Sequence, residues 1–206
     1  MSSSAVSPIR RIRLVVLISG NGSNLQAIID EIANNNLPAQ IVAVISNKAD
    51  AYGLERAKKA GIEQYVLSHK NYDSREQYDI ALKDLIDSFQ PDLIILAGFM
   101  RILSNEFVNH YLQRMMNIHP SLLPKYKGLN THQRAIDAGD KEHGCSVHFV
   151  TPELDDGPVI LQAKVEVKEN DTSETLAERV HEQEHRIYPE AIRLYAENKI
   201  ELNKFT

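Results

Sequence analysis

Asn117 and His119 are the two residues of this chain whose types and spacing are best suited to chemistry. They lie two positions apart and follow an apolar pair of methionines. Alternate side chains of a strand share a face, so both would point the same way. Pro120 then ends strand pairing. An amide can stabilise an oxyanion and an imidazole can transfer a proton, which together suit acyl transfer. A polar strand end with a structural histidine fits the same spacing equally well.

A glycine-rich segment, Ser19–Asn24 (SGNGSN), joins the first apolar run to a helical pattern. Glycines let backbone N–H groups approach an anion, and a helix N-terminus adds partial positive charge. The segment is not GxGxxG, because Leu25 stands where the third glycine would be, and no Gly-Lys-Ser/Thr follows as in a P-loop. Asn47 and Lys48, rather than an acidic residue, follow the second apolar run. These features favour a single phosphate over a dinucleotide, with a structural turn as the alternative.

Two adjacent carboxylates, Asp155 and Asp156, precede a Gly-Pro pair. Such a sequence indicates a turn first and a catalytic group second. A carboxylate beside an imidazole raises the imidazole pKa and can order a water for proton transfer. Asp155 is therefore a candidate partner of His119. His148, in the preceding apolar run, is a further candidate neighbour, although a structural histidine is at least as plausible there.

The segment Ala97–Leu103 (AGFMRIL) leaves the end of a strongly apolar strand, where open α/β sheets place ligands. Its large apolar side chains would form a wall suited to a flat aromatic ligand. Plain core packing is the alternative that composition favours. These side chains are Phe99, Met100, Ile102 and Leu103.

Residues 181–185 (HEQEH) match both the HExxH and the HxxEH zinc motifs. Both motifs need their histidines on a helix face that points into a cleft. At about 100° per residue, His185 falls nearly opposite the apolar stripe and Glu184 borders it. Pro189 would also disturb a zincin helix. We therefore expect a charged solvent face with an inward-facing Glu184 rather than a metal site. The stripe consists of Leu176, Val180, Ile187, Ala191 and Leu194.

The composition is that of a soluble globular protein, with 43% hydrophobic and 25% charged residues among 206. A net charge of −5 argues against nucleic acid as a partner, so any anion site must be local. Cys145 is the single cysteine, which excludes an intrachain disulfide and favours a reducing, cytoplasmic location and a buried apolar role. No apolar run is long enough for a membrane span. Residues 1–11 read as a frayed tail without an apolar signal-peptide core.

Strand and helix patterns alternate along most of the chain and predict an α/β fold. We expect a single-domain, open, mostly parallel twisted sheet with helices on both faces and an antiparallel addition in the C-terminal third. A capping box with Asp171 at the N-cap would start the last helix, which runs to about Asn198 with a bend at Pro189. Predicted strands are 13–18, 41–45, 64–67, 93–97, 115–119, 145–150 and 159–167; the other predicted helices are 23–33, 52–60, 74–89, 104–112 and 131–138.

Taken together, these stretches resemble the folate-dependent formyltransferases, most closely the small monofunctional enzymes of purine synthesis. The resemblance runs in order over nearly the whole chain. It is carried by residues 17–29 (LISGNGSNLQAII), 46–57 (SNKADAYGLERA), 73–76 (DSRE), 96–103 (LAGFMRIL), 117–129 (NIHPSLLPKYKGL), 143–165 (HGCSVHFVTPELDDGPVILQAKV) and 183–189 (QEHRIYP).

The resemblance implies transfer of the formyl group of 10-formyltetrahydrofolate to glycinamide ribonucleotide in de novo purine biosynthesis, without a metal. It implies Asn117, His119 and Asp155 as the catalytic residues. The ribonucleotide would contact Gly22, Ser23, Asn24, His181, Glu182, Gln183 and Glu184. The folate cosubstrate would contact Arg75, Met100, Arg101, Ile102, Leu103, Asn117, Thr151, Pro152, Glu153, Leu154 and Asp155.

Comparison with other members of this family narrows the choice of substrate. Its tRNA-formylating members carry an extra C-terminal domain and its folate hydrolases an extra N-terminal one, so we expect one catalytic domain over residues 1–206, as a monomer or weak homodimer. A formyltetrahydrofolate hydrolase, a zinc peptidase and a nucleotide-binding module without chemistry are the alternatives. Many relatives have GLHTH where this chain has Asn130 in place of the first histidine, and Pro152 and Asp156 are variable choices in the folate loop.

Overall fold

The computed structural model describes residues 10–201. Residues 1–9 of the expected N-terminal tail lie outside the described part, and Arg10 and Arg11 lead directly into the first strand.

The described chain has seven strands and six α-helices, which alternate except that the last two strands are consecutive. The strands are β1 Ile12–Ile18, β2 Ala39–Ser46, β3 Gln64–Val66, β4 Leu93–Leu96, β5 Met115–His119, β6 Glu142–Phe149 and β7 Val159–Glu166. The helices are α1 Ser23–Ala33, α2 Tyr52–Lys59, α3 Arg75–Ser88, α4 Asn105–His110, α5 Thr131–Asp137 and α6 Ser173–Ala196, with a 3-10 turn at His69–Asn71. Each predicted element is present within a few residues of its predicted bounds.

All seven strands form one sheet in the order β3-β2-β1-β4-β5-β6-β7. The pairings from β3 to β5 are parallel, whereas β5–β6 and β6–β7 are antiparallel. The predicted fold class is therefore confirmed, including the antiparallel C-terminal addition. Because the chain runs outward from β1 to β3 and then returns to β4 on the other side of β1, the strand order reverses between β1 and β4. Ligands bind at such a switch point in open α/β sheets.

The sheet separates two apolar layers. Side chains of α1, α2 and α6 cover one face, and those of α3 and α4 cover the other. Along β5, Met116 and Ile118 enter the first layer, so Asn117 and His119 project from the opposite face. On β6, His148 shares that face by the same alternation, since Val147 and Phe149 lie in the first layer. Three polar side chains thus share one face of β5 and β6.

The start of α6 differs from the expectation. Thr172, not Asp171, is the N-cap, and it exchanges hydrogen bonds with Thr175 in a capping box. The Asp171 carboxylate instead binds the Arg179 guanidinium, eight residues further on, at 2.6 Å. That ion pair and the Lys168 N–H hold the pKa of Asp171 below its usual range. Among the described helices, none is long and apolar enough to cross a bilayer.

Candidate active site

His119 and Asp155 meet at the carboxyl end of β5. His119 Nδ1 lies 3.5 Å from Asp155 Oδ2, and both side chains are less than a tenth exposed. His119 Nε2–H donates to the carbonyl of Tyr126 at 2.8 Å. Because Nε2 carries this proton, the Nδ1 edge is the one that can gain or lose a proton beside the carboxylate. The structure thus brings together the imidazole and the carboxylate that the sequence offers as candidate partners.

Asn117 is held by His148 across the β5–β6 pair. His148 Nδ1–H donates to the Phe149 carbonyl at 3.0 Å, which leaves Nε2 as an acceptor facing Asn117 Nδ2 at 3.4 Å. Burial lowers the pKa of His148, so this ring is neutral near pH 7. One amide N–H of Asn117 is thus occupied and its orientation set, while the other N–H is left for a ligand. The register that pairs Asn117 with His148 produces this contact.

The loop between β6 and β7 folds back over the sheet and carries Asp155. The Gly128 N–H donates to Asp155 Oδ2 at 2.9 Å, and an ion pair joins Lys127 to Asp156. Gly157 passes so close to the Phe149 carbonyl oxygen that a Cβ there would lie 1.7 Å from it. The loop is therefore tied to β6 and to the segment after β5, and these ties fix the position of the Asp155 carboxylate.

The segment Gly20–Asn24, here called the phosphate loop, leads into α1 and includes its first two residues. Gly22 is the N-cap with φ of 76°, a left-handed conformation, and a Cβ on it would lie 2.7 Å from Gly53 Cα. A side chain at Gly22 would therefore be excluded both by conformation and by contact. The N–H groups of the first turn of α1 have no intrahelical acceptor. Such N–H groups are what the anion site expected from the sequence would use.

Arg56 of α2 is a residue of this site that sequence reasoning missed. Its guanidinium donates to the Asn21 carbonyl at 2.9 Å, to the Asn21 side chain at 2.8 Å and to Gln26 at 3.3 Å. It also stacks over Tyr52 at 4.9 Å. A positive charge thus braces the phosphate loop. It lies 35 residues from Asn21 along the chain, so no local motif signals it.

Helix α6 brings Glu184, from the zinc-motif-like segment 181–185, to the phosphate loop. Glu184 is 5% exposed and accepts from Asn24 Nδ2 at 3.3 Å, as the predicted inward-facing side chain. Burial raises the pKa of the Glu184 carboxyl, and His181 and Asn24 oppose this effect. His181 and Glu182 are exposed, whereas His185 is half-buried rather than solvent-facing as expected. Within residues 10–201, no group of three or more His, Cys, Asp or Glu side chains is placed to hold a metal.

Most of the residues expected on the folate side line a cavity of about 170 Å³. It runs from Asn117 and His148 to the surface, between the segment after β4 and the β6–β7 loop. Met100 and Arg75 do not line it: the Met100 side chain is 68% exposed, and Arg75 pairs with Glu76 at the start of α3. The lining residues are Leu96, Phe99, Arg101, Ile102, Leu103, Val108, Asn117, His148, Val150, Thr151, Pro152, Glu153, Leu154 and Asp155.

A second pair of histidines lies beside the site. His132 Nδ1 and His143 Nε2 are 3.0 Å apart, and the His132 ring lies edge-on to His181 with centroids 6.5 Å apart. Burial lowers the pKa of His143 to about 4 and also lowers that of His132. Both rings are therefore neutral near pH 7. Cys145, on the opposite face of β6, is buried as expected, and burial raises the pKa of its thiol to about 12.

Comparison with known proteins agrees with this geometry. Residues 12–192 match the formyl transferase family model. A phosphoribosylglycinamide formyltransferase of Escherichia coli is 57% identical over 93% of this chain and 90% of its own length. The structure of a phosphoribosylglycinamide formyltransferase from Coxiella burnetii superposes with a TM-score of 0.88 at 54% identity, covering 92% of this chain and 89% of its own. The structure of a glycinamide ribonucleotide transformylase from Symbiobacterium toebii superposes with a TM-score of 0.91 at 47% identity, covering 96% of this chain and 94% of its own. The chain therefore belongs to the formyl transferase family.

Proposed function

We propose that this protein transfers the formyl group of 10-formyltetrahydrofolate to the amine of glycinamide ribonucleotide, in purine biosynthesis. One observation carries the proposal: His119 and Asp155 meet at the carboxyl end of β5, and Asn117 and Asp155 line the partly apolar cavity there. The N-terminus of α1 lies at the same edge of the sheet. A phosphorylated acceptor would use the helix N-terminus, and a flat folate donor would use the cavity. Relatives that share about half or more of the sequence carry the corresponding enzyme name.

Asn117 is the proposed oxyanion donor. When the amine nitrogen attacks the formyl carbon, negative charge develops on the formyl oxygen. The amide N–H of Asn117 that does not bind His148 is free to donate to that oxygen. Because His148 is neutral and its Nδ1–H is bound to a carbonyl, it fixes the amide without competing as a charge.

His119 and Asp155 are the proposed proton-handling pair. An imidazolium at His119 finds an acceptor for each N–H: the Tyr126 carbonyl for Nε2 and Asp155 for Nδ1. With both N–H groups held, the imidazolium supports the oxyanion through its positive charge, and its Nδ1 proton is the one that can move. The attacking amine loses a proton, the folate N10 gains one as its bond to the formyl carbon breaks, and Asp155 stabilises the cation in between.

The remaining contacts follow from the two ends of the site. The substrate phosphate would lie on Gly22, Ser23 and Asn24, and its ribose beside Glu184, with His181, Glu182 and Gln183 at the edge. The pterin would enter the cavity next to Asn117. The folate cosubstrate would contact Arg75, Met100, Arg101, Ile102, Leu103 and the Thr151–Asp155 loop.

The proposed setting is the cytoplasm, which suits a single buried thiol. We also propose one catalytic domain that acts on small molecules as a monomer or weak homodimer. The acidic net charge of −5 disfavours nucleic acid as a partner.

A folate product assay with and without glycinamide ribonucleotide tests the function. We expect tetrahydrofolate to form only when the amine is present, with one formylated amine made per folate released. Formate release without the amine would identify a hydrolase and contradict the proposal. Loss of activity with a chelator, or binding without turnover, would contradict it as well.

A further inference from the structure

Ser19 connects the two substrate ends of the site through its hydroxyl group. It follows β1 and immediately precedes the phosphate loop, and it is 4% exposed. Its Oγ–H donates to Asn47 Oδ1 at 2.5 Å, and its Oγ accepts the Met100 N–H at 2.8 Å. A hydroxyl has one proton, so donation to Asn47 leaves the lone pairs for Met100 and fixes the direction of both bonds.

The segment Gly98–Leu103, here called the folate segment, is held by this bond. The Met100 side chain is largely exposed, yet its backbone N–H is bound to a buried hydroxyl. The next anchor is the N–H of Ser104, which donates to the buried carboxylate of Asp79 at 2.6 Å. The backbone between these two anchors therefore has a defined position while its side chains remain free to meet a ligand.

The Ser19–Met100 bond crosses the point where the strand order reverses. Ser19 follows β1 and the folate segment follows β4, and these strands are neighbours in the sheet. Asn47 follows β2 on the other side of β1 and is 3% exposed. The ends of three adjacent strands are thus joined by one chain of hydrogen bonds, Met100 to Ser19 to Asn47.

We infer that Ser19 is a positioning residue that holds the folate segment at a set distance from the phosphate loop. This inference rests on the proposed function, in which one substrate lies at each end. Reacting atoms must be held about 3–3.5 Å apart for efficient transfer, so a fixed spacing between the ends has direct value. Loss of the hydroxyl leaves the Met100 N–H without its partner and lets the folate segment move.

Binding of tetrahydrofolate to Ser19→Ala, measured by calorimetry, tests the inference. We expect its dissociation constant to rise about five- to tenfold, the effect of losing one buried hydrogen bond. The KM for glycinamide ribonucleotide should change less than twofold, because the phosphate loop keeps its contacts with α2. Ser19→Cys keeps a weak acceptor, so its dissociation constant for tetrahydrofolate should fall between those of wild type and Ser19→Ala. If the alanine variant does not fold, the cysteine variant alone provides the test.

Ser46→Ala is the matched control. Ser46 is also fully buried at the end of an adjacent strand, but its hydroxyl bonds only to Lys48 of its own turn. Ser46→Ala should lose about as much stability as Ser19→Ala, but it should bind tetrahydrofolate within twofold of wild type. Unchanged folate binding in both Ser19 variants, or equal weakening in Ser46→Ala, would overturn the inference. A wild-type protein that binds no folate would overturn the proposed function and this inference with it.

Discussion

At the scale of single residues, the site depends on which atom of each ring or amide carries a proton. Backbone carbonyls settle this for both histidines, since the Tyr126 carbonyl fixes the proton of His119 and the Phe149 carbonyl that of His148. Asn117 takes its orientation from His148. The chemistry assigned to Asn117 and His119 thus depends on main-chain carbonyls that bind no substrate.

Removing the Asn117 amide should slow the reaction while the fold survives. Loss of one oxyanion donor typically costs about 2.7–4 kcal/mol, so Asn117→Ala should lower kcat about a hundredfold or more. Steady-state kinetics measures kcat, and circular dichroism checks the fold. Asn109→Ala, an exposed asparagine of α4, is the control and should keep full activity. Near-full activity of Asn117→Ala would refute the assignment.

The ionised Glu184 carboxylate should lower the stability of the ligand-free enzyme at neutral pH. Burial raises its pKa, so the carboxyl is most favourable when protonated, and stability is lost as the pH rises through its folded-state pKa. Glu184→Gln should therefore unfold at a higher temperature than wild type at pH 7, and the gap should shrink toward pH 4. Thermal melts across this range measure the effect.

Glu182→Gln supplies the comparison for those melts, because Glu182 is an exposed neighbour on the same helix. It should show no such pH-dependent gain. The stabilised Glu184→Gln variant should still bind the ribonucleotide less well, as expected for a carboxylate retained for binding at the expense of stability. A gap that is constant with pH would contradict the argument.

The residue types of the site could be predicted from sequence, but their partners could not. Asn117 and His119 share a face by strand alternation alone. The Asn117–His148 contact needs the antiparallel register of β5 and β6, and the bond between Arg56 and Asn21 needs α2 to pack beside the phosphate loop. Neither is encoded in local spacing.

At the scale of elements, the apolar pattern located every described strand and α-helix within a few residues, but it gave no signal for the 3-10 turn at His69–Asn71. Helix ends are less well determined, because several neighbouring polar residues can compete for the same cap. At α6, Asp171 and Thr172 are both good N-caps by type. The nearby Arg179 binds the carboxylate, and Thr172 takes the cap.

Thr172 should therefore stabilise the protein as the cap of its 24-residue last helix. Thr172→Ala removes the side-chain acceptor of the Thr175 N–H and should lower the free energy of unfolding by about 1 kcal/mol, without changing kcat. Urea denaturation measures the loss. Thr172→Ser keeps the hydroxyl and should stay near wild type. An unchanged unfolding midpoint for Thr172→Ala would show that another group caps α6.

At the scale of the whole molecule, a protein with a net charge of −5 must attract a phosphorylated substrate by local charge. The N-terminus of α1 supplies part of it, and Arg56 is the cation that braces the same loop. Because the strand order reverses between β1 and β4, this positive region lies next to the cavity proposed for the folate rather than across the sheet.

Neutralising Arg56 should weaken capture of the phosphorylated amine. Arg56→Met removes the charge and the hydrogen bonds to Asn21, so the KM for glycinamide ribonucleotide should rise about tenfold, with little change in kcat. The rise should be larger at low ionic strength, where charges are less screened. Initial rates at two salt concentrations give both quantities. Lys58→Met, an exposed cation of α2, should behave as wild type; an equal effect there would implicate the overall charge instead.

Cys145 has a practical consequence for following the enzyme at work. The chain has this single cysteine, and its buried thiol with a pKa of about 12 should resist alkylation at neutral pH. A cysteine placed at Leu154, whose side chain is 62% exposed at the mouth of the cavity, would then take a fluorescent label selectively. The label would report arrival and departure of the folate in real time, without any need to remove the native thiol.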